Sequence, residues 1–184
     1  WPYSLYKADC IETGGTMIWI RADANNSIGL GHMMRCLSVA SQLIRLGQEV
    51  CFVLADASAV ALLEEKEQKY IVLDTDYCDM EGELAVLCSL LQAWRPDVLL
   101  VDSYFVTQEY LRKLRTYAKV VYMDDKAGFL YPVDGLINYN IYATGLDYEV
   151  RCPESMRLFL GVGYAPVKSE FISVPYQVRE KVQN

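Results

Sequence analysis

The chain reads as an α/β domain built on a parallel sheet covered on both faces by helices. Short apolar runs alternate with longer segments of helical periodicity, and each run is nearly continuous in Val, Ile and Leu. Polar residues rich in Asp, Asn and Gly follow the runs, where turns into helices are expected.

Residues 17–22 (MIWIRA) read as the first strand. Residues 32–46 place Met34, Leu37, Ala40, Leu43 and Ile44 at helical spacing and stop at Gly47. A strand at 50–54 leads into a helix at 57–66, and a third strand is expected at 70–73. After an acidic turn, residues 81–94 carry Leu84, Leu87, Cys88 and Leu91 on one helical face. Pro96-Asp97 then introduces a strand at 98–101, a helix at 107–117 and a fifth strand at 119–123, with a short run at 135–137 beyond it. Strands separated by single helices predict a doubly wound, Rossmann-like sheet.

Composition bounds what such a domain can do. At 184 residues and 53% hydrophobic content the chain can bury one full core. A net charge of -7, with Lys and Arg scattered singly, provides no basic stripe for nucleic acid. Cys10, Cys36, Cys51, Cys78, Cys88 and Cys152 show no C-x-x-C pairing and mostly lie in apolar runs, so reduced, buried thiols are expected. One histidine and no clustered thiols leave little from which to build a transition-metal site, and no metal or other cofactor is expected. No apolar run approaches membrane-spanning length and no signal peptide is recognised, so the expectation is a cytoplasmic protein with no membrane partner. Residues 1–16, turn-rich and ending near Gly14-Gly15, read as a flexible leader or appended segment, with Met17 as the natural start. Residues 17–172 then form the domain, and 173–184 a polar, helix-prone linker or tail.

In an open parallel sheet, ligands bind beyond the carboxyl ends of the strands. Arg21, Asp23 and the turn Gly29-Leu30-Gly31-His32-Met33-Met34-Arg35 follow the first strand. Asp102, Ser103 and Tyr104 follow the fourth, Asp124 and Asp125 the fifth, and Asn138 and Asn140 the short run after it. For Asp102, Ser103 and Asp125 a plain cap or turn role is an equal alternative. Arg35, one turn into its helix, either reaches a phosphate or pairs with Asp23. Tyr139, Tyr142 and Tyr148 read as packing residues.

The glycine turn differs from familiar phosphate loops. It lacks the third glycine of a dinucleotide fingerprint and the Gly-Lys-Ser/Thr of a Walker loop, which disfavours NAD and ATP. His32, the sole imidazole, sits where the strand turns into the helix. There the glycines let backbone N–H groups approach a ligand, and the positive helix end opposes a second proton on the ring. It is therefore the candidate proton acceptor.

Taken in order, Arg21-Ala22-Asp23, Ile28 to Arg35, Asp102-Ser103-Tyr104, Met123-Asp124-Asp125, Asn138-Tyr139-Asn140 and the stretch from Leu160 through Tyr164-Ala165-Pro166 to Phe171 resemble successive motifs of one family. It is the family of UDP-2,4-diacetamido-2,4,6-trideoxy-beta-L-altropyranose hydrolases of pseudaminic acid biosynthesis, with related spore-coat polysaccharide proteins. The resemblance runs from Met17 to about Phe171. It implies the N-terminal half of a glycosyltransferase-B-like fold, with the active site between two Rossmann-like domains, and metal-independent release of UDP with inversion at the anomeric carbon. It also implies a UDP-linked amino sugar as substrate and a C-terminal nucleotide-binding domain, in cis or in trans, as partner.

The residues fit such chemistry on their own terms. A sugar diphosphate carries its leaving group already, so one base that activates water suffices. His32 is the expected base and Asp23 its orienting partner. Arg21, Gly29, Gly31, Arg35, Tyr104, Asp124, Asn138 and Asn140 are the expected substrate contacts. Residues 1–184 alone are expected to be inactive or nearly so, because nothing in them resembles the nucleotide-holding domain. Two other readings stay open: transfer of the sugar to an acceptor other than water, and a non-catalytic module that pairs with a carbohydrate-pathway enzyme.

Overall fold

The computed structural model describes residues 15–152 and 155–172. Of the sequence expectations, residues 1–14 of the leader and the tail 173–184 lie outside the described residues. Ahead of Met17, the Thr16 amide donates to Gln48 Oε1 at 3.0 Å and the Thr16 carbonyl accepts from the Glu49 amide, so pairing with the domain begins before the first strand.

The run Met17–Ala22 forms β1, and its first residue is tied to the chain that leads into the strand Val98–Asp102. There the Met17 amide donates to Asp97 Oδ2 at 2.8 Å while the Asp97 amide returns a bond to the Met17 carbonyl. Helix α1 (Gly31–Arg45) follows and ends at Gly47, whose φ of +77° reverses the chain into β2 (Glu49–Leu54). The segment expected as one helix at 57–66 divides into a 3₁₀ turn, Ala57–Ala59, and α2 (Val60–Glu65). Asp56 caps the turn by accepting from the Ser58 amide at 2.7 Å. β3 (Lys69–Val72) leads to α3 (Met80–Trp94), capped by Asp79 and stopped where Arg95 turns left-handed (φ 50°) before Pro96.

β4 (Val98–Asp102), α4 (Gln108–Leu114) and β5 (Lys119–Met123) follow, with Thr107 capping α4 through the Tyr110 amide at 3.0 Å. Helix α4 is thus shorter than the expected 107–117. β6 (Gly135–Asn138), α5 (Tyr148–Arg151), β7 (Arg157–Leu160) and α6 (Ser169–Ile172) complete the described chain. The sequence reading had no counterpart for α5 or β7; each is four residues long, too short to show a period.

Among the described residues the strands of the sheet pair in parallel, in the order β3-β2-β1-β4-β5-β6-β7. This is the doubly wound α/β arrangement expected from the sequence. The chain first winds outward from β1 to β3, then returns to the other side of β1 for β4. The seam between β1 and β4 is therefore the topological switch point, and Ala22 pairs with Asp102 at its carboxyl end.

Strand parity sorts the side chains into two cores. Ile18, Ile20, Ala22, Phe52, Leu54 and Leu100 pack with Met33, Cys36 and Ala40 of α1 and Leu63 of α2. Trp19, Val53, Leu99 and Val101 pack on the other face with Leu87 and Leu91 of α3 and Tyr110, Leu111 and Leu114 of α4. Burial of each large apolar side chain contributes about 1.5–3 kcal/mol. Among the described residues no helix is long and apolar enough to cross a membrane. Cys36, Cys51 and Cys88 are buried and outside any disulfide, as expected, but Cys78 is exposed.

One ionic strut crosses the second core. Arg21 is fully buried; its Nε and Nη2 donate to Glu83 of α3 at 2.8 and 2.6 Å, and its Nη1 donates to Asp23 at 2.5 Å. Tyr110 of α4 donates to Glu83 Oε1 at 2.5 Å, and Asp23 Oδ1 accepts from the Ala55 amide beyond β2 at 2.8 Å. The strut joins β1, β2, α3 and α4. Removing its cation leaves two carboxylates facing each other in the core. Arg21→Met is expected to cost about 3–5 kcal/mol, and Tyr110→Phe, which deletes one bond to a charged acceptor, about 1.5–3 kcal/mol. Urea unfolding midpoints measure both, and equal losses would contradict this ranking.

Candidate functional site

The turn after β1 is built by Asn25. Its carboxamide oxygen accepts from the Ser27 and Ile28 amides at 2.9 and 3.0 Å, and its carbonyl accepts from the Gly29 amide at 2.8 Å. Gly29 takes φ +73°, which a side chain would resist, and this delivers Leu30 and Gly31 to the start of α1. No side chain caps that end of α1 and no acidic residue lies in its first turn, so its partly positive end is uncompensated by protein charge within the helix. Gly29 and Gly31 are exposed, and nothing stands within 4 Å of where a Cβ would be. Both expected ligand-contact glycines therefore line open space at the strand ends.

His32 and Arg35, one turn apart on α1, face the end of β4. Asp102 has the same strand parity as Leu100, which packs under α1, and its carboxylate lies directly beneath the helix. His32 Nδ1 is 2.6 Å from Asp102 Oδ1. Arg35 grips both oxygens: Nε donates to Oδ2 at 2.5 Å and Nη2 donates to Oδ1. Cys36 Sγ adds a weak bond to Oδ2 at 3.3 Å. Burial works against the charge of Asp102, but the Arg35 and His32 bonds outweigh it and hold the carboxyl below the ordinary carboxylate range. Burial and the Asp102 charge push the Cys36 thiol well up, so Cys36 serves as a donor and not as a nucleophile.

Arg35 continues the network outward. Its Nη1 donates to Tyr139 Oη at 3.0 Å and approaches Asp125 Oδ2 at 3.3 Å, with the guanidinium carbon 5.7 Å from the Tyr139 ring centre. Tyr104 donates to Asp125 Oδ2 at 2.5 Å, and Asn140 Nδ2 donates to Asp125 Oδ1 at 3.0 Å. Partial burial and then the bond to Asp125 push the Tyr104 phenol up to about 12. Burial opposes the charge of Asp125, yet Tyr104, Arg35 and Asn140 together hold its carboxyl below the usual range. The Tyr104 ring meets His32 edge-on at 4.5 Å between centres, and Lys126 Nζ stands 4.4 Å from the Tyr104 ring centre.

His32, Arg35, Tyr104 and Asn140 are thus brought together, with Gly29 and Gly31 at the adjoining loop. The other expected contacts are placed elsewhere. Arg21 is enclosed in the strut, and Asp23 is committed to Arg21 and the Ala55 amide. The carboxylate on His32 and Arg35 is Asp102, not Asp23. Asp124 and Asn138 are buried one layer below. Asp124 accepts from the Ala127 amide and from Tyr131 and Tyr148 at 2.7, 2.9 and 2.5 Å. Asn138 donates to Tyr148 at 2.8 Å, and its Oδ1 accepts from both the amide and the carboxamide of Asn140. The direct substrate contact expected of Arg21 and Asn138 is not supported by this geometry: both are fully buried with their polar atoms paired inside the protein, and Asn138 holds Asn140 in place. Asp124, 4% exposed, commits only Oδ2 to its three bonds.

Neither Asp102 nor Asp125 takes the cap or turn role that the sequence leaves open for them: α4 is capped by Thr107, which frees Asp102 for α1, and Asp125 is held by Tyr104, Arg35 and Asn140. Ser103 keeps the turn role, accepting from the Phe105 amide at 3.2 Å. Tyr139 does more than pack: its hydroxyl accepts from Arg35 Nη1. Strand parity is the signal that identifies Asp102, since Leu100 and Asp102 project to the α1 face while Leu99 and Val101 do not. Among the described residues, no group of three or more His, Cys, Asp or Glu side chains is arranged to hold a metal ion.

No family model matches the chain. It is 28% identical over 166 residues, 89% of its length, to a curated Campylobacter jejuni protein named UDP-2,4-diacetamido-2,4,6-trideoxy-beta-L-altropyranose hydrolase. The chain spans 56% of that protein's length. The proteins that the motifs resemble and the protein found by this comparison carry the same name.

The two depressed carboxyls set an acid limb for stability. Ionised Asp102 and Asp125 bind the fold better than the unfolded chain, so their contribution is complete above the ordinary carboxylate range, about pH 4, and falls as pH drops through their lower folded values. Melting temperature is expected to hold steady from neutrality to about pH 4 and then decline. Asp102→Asn should lower the plateau and shrink the acid limb; a limb of unchanged size would contradict the assignment.

Proposed function

We propose that this domain acts on a nucleotide-linked amino sugar and that His32 is the base that activates water. The observation that carries the reading is a single imidazole at the switch point, engaged through Nδ1 and with no hydrogen-bond partner at Nε2 among the described residues. Around it lie the open N-terminus of α1, which favours a phosphate, and the Tyr104 hydroxyl oxygen and Asn140 Oδ1, which can still accept from hydroxyl and amide groups. The Campylobacter relative's name supports the same substrate class.

In this reading, water attacks the anomeric carbon of a UDP-linked diacetamido-trideoxy hexose from the face opposite the diphosphate. Its proton passes to His32 Nε2 as the new C–O bond forms, and the anomeric C–O bond breaks with its electron pair leaving on UDP. The free sugar emerges with inverted configuration, and no step calls on a metal.

A second, nucleotide-binding domain in cis or in trans belongs to this proposal. Leu30, Tyr104, Phe105, Leu130, Ile141 and Tyr142 are exposed apolar or aromatic side chains on loops following β1, β4, β5 and β6, the same edge as His32. Such a rim suits cover by another surface. Binding energy from the nucleotide would then position the reacting carbon.

The test is UDP release from the sugar nucleotide by residues 1–184, alone and mixed with the part of the Campylobacter relative that this chain does not span. Little turnover alone, turnover in the mixture and a loss of about 100-fold or more on His32→Ala are expected. A near-normal rate in the His32→Ala mixture would overturn the base assignment. Release only when an acceptor is added would favour transfer, and a tight complex with no release would favour a non-catalytic module.

A further inference from the structure

We propose that Asp102 is a positioning residue that keeps the His32 proton on Nδ1 and thereby leaves Nε2 as the acceptor, with Arg35 holding Asp102 in place. This rests on the reading of His32 as the base, but its test does not depend on turnover.

Two groups compete for the same ring nitrogen. His32 Nδ1 lies 2.6 Å from Asp102 Oδ1 and 3.1 Å from Arg35 Nη2. A guanidinium offers only donors and an ionised carboxylate only acceptors, so Nδ1 cannot satisfy both. If Nδ1 lacked a proton, its lone pair would face a carboxylate oxygen at 2.6 Å in a place where Asp102 is 1% exposed. That repulsion is poorly screened. Arg35 Nη2 already has Asp102 Oδ1 as its acceptor and does not need the ring. The arrangement with every group satisfied puts the proton on Nδ1.

The remaining neighbours do not oppose it. Tyr104 meets the ring edge-on and spends its hydroxyl on Asp125, while Lys126 lies over the Tyr104 ring. Asp125 reaches the imidazole only through Arg35 and Tyr104.

Arg35 gives the proposal a distinctive consequence. Once Asp102 is removed, Nη2 loses its acceptor and the nearest replacement is Nδ1. The guanidinium then demands a lone pair there, and the ring proton moves to Nε2, the position that must stay free. Loss of Asp102 therefore inverts the ring chemically even where the ring stays in place.

The chain has one histidine, so its ring nitrogens are identified in ¹⁵N-labelled protein without assignment. Long-range ¹H–¹⁵N correlation spectra at about pH 9, where a free imidazole is neutral, report which nitrogen carries the proton. The unmodified chain is expected to show Nδ1–H, Asp102→Ala to show Nε2–H, and Arg35→Met to retain Nδ1–H. An Nε2–H ring in the unmodified chain overturns the proposal, as does Asp102→Ala that keeps Nδ1–H with dispersed amide signals. If Asp102→Ala does not fold, the spectra of the unmodified chain and Arg35→Met decide. Failure of the base reading shows instead as UDP release that survives His32→Ala, so the two can fall separately.

Discussion

The carboxylate of Asp102 is the fixed point of the candidate site. It is buried at the end of the strand beside the switch point, and its two oxygens receive the guanidinium of Arg35, the thiol of Cys36 and the imidazole edge of His32. A buried negative charge tolerates little unsatisfied valence, so each partner is held to a narrow geometry. The geometry of α1 at the crevice follows from this. The helix carries all three partners within five residues, and its first turn can dock on β4 in one register only.

The two faces of the sheet divide the labour. On the α3 and α4 side, Arg21, Glu83, Asp23 and Tyr110 form a closed ionic unit that fixes secondary structure and presents nothing to the rim. On the α1 side, the analogous cation, Arg35, is half-buried and shares its donors between Asp102 below and Asp125 and Tyr139 above. Chemically similar Arg–Asp pairs thus serve opposite ends. The first pair is sealed with no spare donor, whereas the second stands at the carboxyl edge beside the solvent-exposed Tyr104.

Much of this was legible in the chain. Strands such as Met17–Ala22 and Lys119–Met123 stood out because buried parallel strands are almost wholly apolar. The switch point followed from the alternation of helices and strands, and with it the rim where His32, Arg35, Tyr104 and Asn140 meet. What could not be read was partner choice. Asp23 is nine residues from His32 in sequence and Asp102 is seventy, yet the nearer carboxylate pairs with Arg21 and the Ala55 amide and the distant one lies beneath α1. Proximity along the chain predicted the wrong pair; strand parity selects the right one, but only after the register between β1 and β4 is known. Likewise Asp124 and Asn138 look like rim residues by position, and the buried hydroxyls of Tyr131 and Tyr148 that claim them come from segments without a recognisable period.

The bonds that knit the rim span great lengths of chain: Arg35 to Tyr139 crosses 104 residues, Arg35 to Asp125 crosses 90, and His32 to Asp102 crosses 70. Closing such loops is entropically costly until the intervening strands are already in register. The complete network therefore needs three strands in place, since Asp102 ends β4 while Asp125 and Tyr139 follow β5 and β6. The loops after β4, β5 and β6 also share their partners, so releasing one loosens the others. The rim network and the strut share no residue and lie on opposite faces of the sheet, so substitutions in one leave the hydrogen bonds of the other with all their partners.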